Sequence, residues 1–323
     1  MSEPVLKVEG LTKVFHPRGR RSTPLVAVRQ VSFNLDEGEV VALVGESGSG
    51  KTTIGRMLTG IETPTEGSIH LRSEPGVRNP KTRMQRVQMV FQDPYAALNP
   101  FNRVSYSLSR PLINYQKLSP ADALARARTI LSTVQLTPPD DYLEKRPHQL
   151  SGGQRQRIVI ARALAASPEI VIADEPVSML DVSIRADVLS LLRDLLVQQQ
   201  VSAMLYITHD LLSARLLARR IMVLYRGHVV EIGETEALLA HPQHPYTQLL
   251  WSAIPNPRRA ARGEQIMVPT ASTGEVPLHG CPFQPRCPLA IDRCRHEVPE
   301  LVAISEQQQV ACHVAVDGKS AAS

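Results

Sequence analysis

Four short runs of apolar residues stand out along the chain, and none of them alternates with polar positions. They are Val40–Val44, Ile170–Ala173, Met204–Ile207 and Ile221–Tyr225. A strand that is covered on both faces needs continuous apolar character, whereas a half-exposed strand alternates. The pattern therefore predicts four buried strands of a parallel sheet.

Helical patterns fill the spaces between these runs. Lys51–Leu58 follows the first run, Val182–Gln200 joins the second to the third, and Leu211–Arg220 joins the third to the fourth. Residues 101–168 differ, because they contain few strand-like runs and include the helical pattern of Ala121–Val134. The sequence thus predicts an α/β core with an inserted helical subdomain at about 101–168.

The strand and helix pattern weakens beyond Gly233. Residues 244–247 open a short helix, and a linker containing proline and arginine follows at Pro255–Gly263. We expect an α/β domain over residues 1–255. The linker and a small cysteine-bearing C-terminal extension are expected over residues 256–323.

Size and charge narrow the classes of function. The chain has 323 residues, 43% of them hydrophobic, and a formal net charge of +5. This length is enough for a sizeable core. The mild basicity suits anionic ligands such as nucleotides or acidic lipid headgroups. It is too weak to indicate a nucleic-acid partner, which usually requires a clustered basic face.

Targeting and membrane-spanning signals are not recognisable in the sequence. The N-terminal residues do not combine a basic start with an apolar stretch, so we expect no signal peptide. No apolar run approaches the roughly 18 to 20 residues that cross a bilayer. We therefore expect a protein that is soluble or is held at a membrane by its partners.

The first chemical motif follows the first apolar run. Residues 45–52 read Gly-Glu-Ser-Gly-Ser-Gly-Lys-Thr, which matches the phosphate-loop pattern between a strand and a helix. Glycines let backbone N–H groups turn towards phosphates, and a helix N-terminus adds partial positive charge. Lys51 would neutralise the β- and γ-phosphates, and the Thr52 hydroxyl would bind Mg²⁺. The alternative is a glycine-rich turn with a chance lysine. The candidate nucleotide-binding residues here are Gly45, Glu46, Ser47, Gly48, Ser49, Gly50, Lys51, Thr52 and Thr53.

Two carboxylates end the second apolar run. Asp174 at the carboxyl end of this strand can reach the Mg²⁺ shell, because ligands bind at that end of strands in open α/β sheets. Glu175 points elsewhere and can polarise the attacking water. An apolar run ending in Asp-Glu is often only structural, but a preceding phosphate loop makes the catalytic interpretation strong.

A third motif, Leu150–Gln156, begins a helix with serine and two glycines. Ser151 alone could be an N-cap. In this order along the chain, however, residues 151–154 resemble the signature motif of the nucleotide-binding subunits of ATP-binding-cassette proteins. The resemblance covers residues 5 to about 255 and implies a P-loop NTPase cassette core. It makes Ser151, Gly152, Gly153 and Gln154 candidate ATP-binding residues.

Further positions match the same family. Gln92 resembles the glutamine-loop residue that contacts Mg²⁺ and the membrane subunits, and His209 resembles the switch histidine at the γ-phosphate. Asp181 resembles the D-loop aspartate, although Met179 stands where alanine is usual. Phe15 resembles the adenine-stacking aromatic residue, where tyrosine is commoner. An isolated histidine or phenylalanine would more often be structural.

The resemblance also implies an assembly. Two ATP-binding subunits would face head to tail, so that the signature of one closes on ATP at Lys51 of the other. The family implies two membrane permease subunits, a second and homologous ATP-binding subunit, and an extracytoplasmic solute-binding protein. It places the chain as a peripheral protein at the cytoplasmic face of the inner membrane.

Three segments narrow the branch of the family. Residues 92–100, 244–250 and 281–288 resemble dipeptide and oligopeptide importers. This branch also includes importers of nickel, glutathione and opine- or sugar-type solutes, so those remain alternatives to a peptide.

Two other classes compete with a transporter. A DNA-repair cassette would carry a coiled coil between Lys51 and Ser151, which are only 100 positions apart (151 minus 51). A translation factor would usually carry two cassettes. An iron–sulfur redox sensor would not need the complete set of hydrolysis motifs.

All four cysteines lie near the C-terminus, at 281, 287, 294 and 312. In a reducing compartment such crowding favours a metal site over disulfides. Five, six and 17 residues separate them in turn, which is unlike paired zinc ligands and also unlike a ferredoxin run. The spacing leaves zinc and a [4Fe–4S] cluster open. The resemblance to the peptide-importer extension implies that Cys281, Cys287, Cys294 and Cys312 are cluster ligands.

Overall fold

A computed structural model describes residues 3–16, 24–72, 80–254 and 279–320 of the chain. These residues contain eleven strands in two sheets, and their bounds are β1 Leu6–Phe15, β2 Leu25–Leu35, β3 Glu39–Val44, β4 Glu66–Leu71, β5 Val87–Val90, β6 Ile170–Asp174, β7 Ala203–Thr208, β8 Arg220–Tyr225, β9 His228–Glu234, β10 Val302–Ser305 and β11 Gln308–Val310. The predicted linker, Pro255–Gly263, lies outside the described residues.

Helices connect most of these strands. Their bounds are α1 Lys51–Thr59, α2 Pro80–Arg86, α3 Pro94–Ala97, α4 Val104–Gln116, α5 Pro120–Thr133, α6 Asp140–Leu143, α7 Gly152–Leu164, α8 Val182–Val197, α9 Leu211–Leu217, α10 Thr235–Ala240, α11 Pro245–Ser252, α12 Arg293–His296 and α13 His313–Ser320. Two single turns of 3₁₀ helix lie at Pro147–Gln149 and Gln284–Arg286. Within the described ranges, no helix combines the length and the apolar character that crossing a membrane would require.

The larger sheet has eight strands in the order β10-β11-β9-β8-β3-β7-β6-β5. The five strands from β8 to β5 are parallel, whereas β9 pairs antiparallel with β8, β11 with β9, and β10 with β11. A separate antiparallel sheet has the order β2-β1-β4. The predicted α/β core is therefore confirmed.

All four predicted buried strands are present, as β3, β6, β7 and β8. The helix predicted over Leu211–Arg220 ends earlier, at Leu217. Ala218 is extended there, and the backbone N–H of Arg219 donates to the carbonyl of Val40 at 2.9 Å, which leads the chain into β8.

The apolar runs are continuous because both faces of the parallel strands are covered. Val40, Ala42 and Val44 pack with the helices on one face. Val41 and Leu43 pack on the other face with α1 and the small antiparallel sheet. Alternate residues of a strand point to opposite faces, so β3 contributes to two separate hydrophobic clusters.

Residues 104–164 hold four α-helices, α4 to α7, and no strand. The buried faces of α4, α5 and α7 join the first of the two clusters through residues such as Leu108, Leu131 and Ile158. The signature helix α7 is thus held by the sheet on one side and by the neighbouring helices on the other.

The C-terminal residues pack into the same body. β11 pairs antiparallel with β9, and Cys281, Phe283 and Cys294 lie in the cluster on the helical face of the sheet. The buried carboxylate of Glu231 in β9 accepts a hydrogen bond from the side-chain amide of Gln308 at 2.6 Å. The extension therefore shares both a sheet and a core with the α/β domain.

Glu231 also anchors the start of α11. Its carboxylate accepts the backbone N–H groups of Gln243 at 2.9 Å and of His244 at 3.0 Å. His244 is 1% exposed, and its Nδ1 accepts the backbone N–H of Tyr246 at 3.0 Å as a helix cap. Burial lowers the pKa of His244 to about 3, so the folded chain keeps this ring neutral.

We predict that His244→Asn makes stability less dependent on pH. Below about pH 6.5 the unfolded chain protonates this histidine while the folded chain does not, so the wild type loses stability as pH falls from 6.5 towards 3. Asparagine can cap the helix without titrating. Urea denaturation should show that the loss between pH 7 and pH 5 is about 2 kcal/mol smaller in the variant.

His241→Asn is the matched control, because this histidine is exposed. It should retain the pH dependence of the wild type. An equal loss of stability for wild type and His244→Asn would contradict the role assigned to the buried ring.

Candidate functional site

A cavity of about 740 Å³ lies where the parallel strands end. The carboxyl ends of β3, β7 and β6 lie side by side, so the residues that follow these strands come together. Nine of the residues predicted from the sequence line the cavity, namely Phe15, Ser47, Gly48, Gly50, Lys51, Thr52, Thr53, Gln92 and Glu175.

The loop between β3 and α1 depends on its glycines. Gly48 and Gly50 have φ values of 78° and 106°, in the left-handed region that side chains rarely adopt. A Cβ atom on Gly50 would also collide with the carbonyl oxygen of Ala27. The backbone can therefore turn its N–H groups towards the cavity only with glycine at these positions.

The ammonium group of Lys51 is folded back onto this loop. Nζ donates to the carbonyl oxygens of Gly45 at 2.7 Å and Glu46 at 2.9 Å. Burial lowers the pKa of Lys51, and the carboxylates of Glu175, Asp174 and Glu46 act in the opposite direction. The ammonium group thus belongs to a residue that lines the cavity, where an anionic ligand could bind it.

Asp174 ends β6 and is 3% exposed. Burial raises its pKa, and a hydrogen bond with the Thr52 side chain lowers it. Among the described residues Oδ1 of Asp174 has no hydrogen-bond partner. A buried carboxylate oxygen beside a threonine hydroxyl suits Mg²⁺, which prefers oxygen ligands, so these two residues fit the expected ion.

Glu175 is held from two sides. Gln92 donates from Nε2 to its Oε2 at 2.9 Å, and Nδ1 of His209 lies 3.2 Å from Oε1. Its backbone has a φ of 45°, which is uncommon for a non-glycine residue. The structure thus brings together three residues that were predicted from separate motifs.

The signature residues lie elsewhere in the chain fold and do not line this cavity. Ser151 is the N-cap of α7: its Oγ accepts the backbone N–H of Gln154 at 3.2 Å, and its own N–H donates to Oε1 of Gln154 at 3.0 Å. A Cβ on Gly153 would lie 2.7 Å from the Ile184 side chain, so glycine allows α7 to pack on α8. Asp181, at the N-cap of α8, is also outside the cavity.

Several cavity residues were not anticipated from the sequence. Arg226 comes from the turn between β8 and β9, His228 is the first residue of β9, and Gly280 comes from the C-terminal segment. The turn approaches the phosphate loop, because the N–H of Gly227 donates to the carbonyl of Ser49 at 2.8 Å. The Arg-Gly pair, with φ of 45° and 82°, is a hairpin signal that could have located this turn.

The four cysteines are free thiols in one neighbourhood of the C-terminal segment. Burial, with smaller contributions from the neighbouring cysteines, raises the pKa of Cys281 to about 11. The N–H of Cys281 donates to the carbonyl of Cys294 at 2.9 Å. In the part of the chain that the structure describes, however, no three His, Cys, Asp or Glu side chains form a group that could hold a metal ion. The residue type suits a cluster, whereas the arrangement of the thiols does not.

Two protein families match parts of the chain. Residues 28–178 match the family described as ABC transporter, and residues 230–294 match the family described as oligopeptide/dipeptide transporter, C-terminal region. A peptide ABC transporter ATP-binding protein of Sinorhizobium fredii is 43% identical, covering 97% of this chain and 91% of the relative. A peptide import ATP-binding protein of Brucella ovis is 45% identical, covering 96% and 97%.

Solved structures agree with the fold. A dimeric ATP-binding cassette in a post-hydrolysis state, bound to ADP and Pi, is 30% identical with a TM-score of 0.62 and covers 71% of this chain and 98% of its own. The cbiO1 protein of Clostridium perfringens, part of the ABC transporter complex cbiONQ, is 25% identical with a TM-score of 0.66. It covers 82% of this chain and 100% of its own.

Proposed function

Since this chain belongs to the ATP-binding-cassette transporter family, we propose that it hydrolyses ATP to power the import of di- or oligopeptides through a membrane permease. The observation that carries the ATPase function is the convergence of Lys51, Gln92 and Glu175 on one cavity. The carboxylate of Asp174 lies next to this cavity, because it forms a hydrogen bond with Thr52 of the lining. The peptide substrate is supported by the names of the relatives and by the match at residues 230–294.

The proposal assigns a role to the predicted residues in and beside the cavity. The phosphate loop binds the nucleotide phosphates, Lys51 neutralises their charge, and Phe15 stacks on the adenine. Thr52, Asp174 and Gln92 would hold Mg²⁺, which neutralises charge that develops on the transferring phosphoryl group. Glu175, fixed by Gln92 and His209, orients the attacking water.

A second ATP-binding subunit completes each site. Ser151 and Gly153 lie at the N-terminus of α7, where backbone N–H groups suit a phosphate, but they are not in the cavity that Lys51 lines. We infer that the signature residues 151–154 and Asp181 act on ATP bound to the partner. The partner in this proposal is a homologous chain, which makes a heterodimer.

The remaining partners follow from the import function. Two permease subunits form the path across the membrane, and an extracytoplasmic binding protein delivers the peptide. This chain would lie peripherally at the cytoplasmic face of the inner membrane. The same proposal assigns the cassette to residues 1–255, its helical subdomain to about 101–168, and the extension to residues 256–323. The strand-free stretch from 104 to 164 supports the subdomain.

A finer proposal concerns the four cysteines. We propose that Cys281, Cys287, Cys294 and Cys312 hold a [4Fe–4S] cluster, with a structural or regulatory role. Four free thiols in one neighbourhood support it. Their arrangement is not that of a metal site, so cluster binding would require the thiols to move together.

We predict that Glu175→Gln abolishes steady-state ATP hydrolysis while nucleotide binding persists. Glutamine preserves the shape of the side chain but cannot accept the proton of water, so the rate should fall on the order of 10²- to 10⁴-fold. Hydrolysis by the reconstituted transporter should be compared with nucleotide binding by the purified chain. Glu306→Gln is the matched control, because this glutamate is exposed. Near-normal turnover in Glu175→Gln would remove the residue from this role.

We also predict that the purified chain alone hydrolyses ATP slowly. Activity should rise when permease and partner ATPase are added, because Ser151 and Lys51 of opposite subunits close one site. Full activity from a dilute monomer would contradict the site shared between two subunits.

The ATPase activity of the assembled transporter should rise again when a binding protein loaded with peptide is added. Stimulation only by a nickel, glutathione, opine or sugar ligand would contradict the peptide substrate.

The cluster proposal has a spectroscopic test. Protein purified without oxygen should be brown, absorb broadly near ~400 nm and contain about four irons per chain. Replacing Cys287 with serine should lower the iron content. A colourless protein with one zinc per chain, or a disulfide between two of the cysteines, would show that the cluster assignment is wrong.

A further inference from the structure

Glu46 is an acidic residue inside the loop that is proposed to bind phosphates. A carboxylate at this point would repel the phosphates of a nucleotide unless its charge were balanced. Lys51 does not balance it by direct contact, because its Nζ donates to the backbone oxygens of Gly45 and Glu46. The balancing cation comes from the C-terminal segment.

Arg286 makes a two-point contact with this carboxylate. Its two terminal nitrogens donate to the two carboxylate oxygens of Glu46, at 3.0 Å and 3.1 Å. A parallel pair of bonds of this kind fixes orientation as well as charge. The side chain of Arg286 is 15% exposed, compared with 45% for Glu46. Partial burial reduces the screening that weakens most surface ion pairs.

The guanidinium group is itself held in place by aromatic residues. It lies 5.7 Å from the ring centres of Tyr225 and Phe283, and one nitrogen donates to the Tyr225 hydroxyl at 3.4 Å. Phe283 is 1% exposed, so this support is part of the hydrophobic core. Arg286 is therefore positioned before any nucleotide binds.

The backbone of Glu46 is fixed as well. Its N–H donates to the hydroxyl of Tyr246 at 2.9 Å, and Tyr246 is fully buried in α11. The C-terminal side of the chain thus holds both the backbone and the carboxylate of one phosphate-loop residue. Gly280 of the same segment lines the nucleotide cavity.

We propose that Arg286 is a positioning residue of the ATP site, which neutralises Glu46 and holds the phosphate loop open for the nucleotide. The proposal rests on the ATP binding proposed above. It makes the C-terminal segment a part of the ATP site of its own subunit. Arg286 lies between Cys281 and Cys287 in a stretch of overlapping turns, in which the N–H groups of Gln284, Arg286 and Cys287 each donate to the carbonyl three residues earlier. A change at these cysteines would therefore reach the phosphate loop through Arg286.

The test compares Arg286→Gln with the wild type in two measurements. The full-length chain is titrated with a fluorescent ATP analogue, and the assembled transporter gives KM and kcat for ATP. We expect Kd and KM to rise about three- to tenfold, with kcat within about twofold, because an unbalanced Glu46 charge opposes nucleotide binding. Wild-type Kd and KM in this variant would overturn the proposal.

Rescue separates a charge effect from a loss of structure. In the double variant E46Q/R286Q the repelling charge is also gone, so KM should return towards the wild-type value. A double variant as weak as Arg286→Gln would overturn the proposal. Arg295→Gln is the matched control, since it removes an exposed positive charge from the same segment.

A second measurement does not depend on the folding of Arg286→Gln. Glu46→Gln leaves the Arg286 cation facing the phosphates, so we expect its KM to fall about two- to threefold. A raised KM in a folded Glu46→Gln chain would contradict the proposal. A wild-type chain that fails to bind ATP at all would instead contradict the ATPase function, and the two failures are thereby distinguishable.

Discussion

Lys51 carries a positive charge at a position that is only 5% exposed, and burial works against that charge. Three carboxylates offset the cost, those of Glu175, Asp174 and Glu46. Two of them, Asp174 and Glu175, lie at the carboxyl end of β6, which is beside β7 and so reaches the same edge of the sheet as β3. The parallel strands therefore bring the buried Lys51 cation near these carboxylates without a direct ion pair. Its positive charge remains available to the phosphates of a nucleotide.

The third carboxylate, that of Glu46, helps to fix the C-terminal segment against the phosphate loop. The carboxylate of Glu46 binds Arg286. The residues around Arg286 belong to the hydrophobic cluster on the helical face of the sheet. Glu231 in β9 also anchors this part of the chain, because its carboxylate accepts hydrogen bonds from Gln308 and from the start of α11. Two acidic residues, one half-exposed and one buried, thus join the C-terminal segment to the phosphate loop and to β9. The extension is coupled to the cassette by polar contacts as well as by apolar packing.

Much of this arrangement could be predicted from sequence, and the reason is physical. Strands β3, β6, β7 and β8 are covered on both faces, so their apolar runs were recognisable without a partner. The phosphate loop was recognisable because its residues lie close together in sequence, between the end of a strand and the start of a helix. Strands β1, β2 and β4 went unrecognised, because one face of each is partly exposed and the signal is diluted. The contact between Arg286 and Glu46 joins positions 240 residues apart, and no local pattern encodes it.

The final strand has one more consequence, for the synthesis of the protein. β11 contributes only three residues, which pair with Glu231, Ile232 and Gly233 of β9. Without them this part of β9 would be the open border of the sheet. An uncovered strand offers unpaired N–H and C=O groups to any other chain. A polypeptide that stops before residue 308 would present that surface to its neighbours and tend to aggregate. The C-terminal strand therefore protects newly made molecules against self-association, independently of nucleotide or transport.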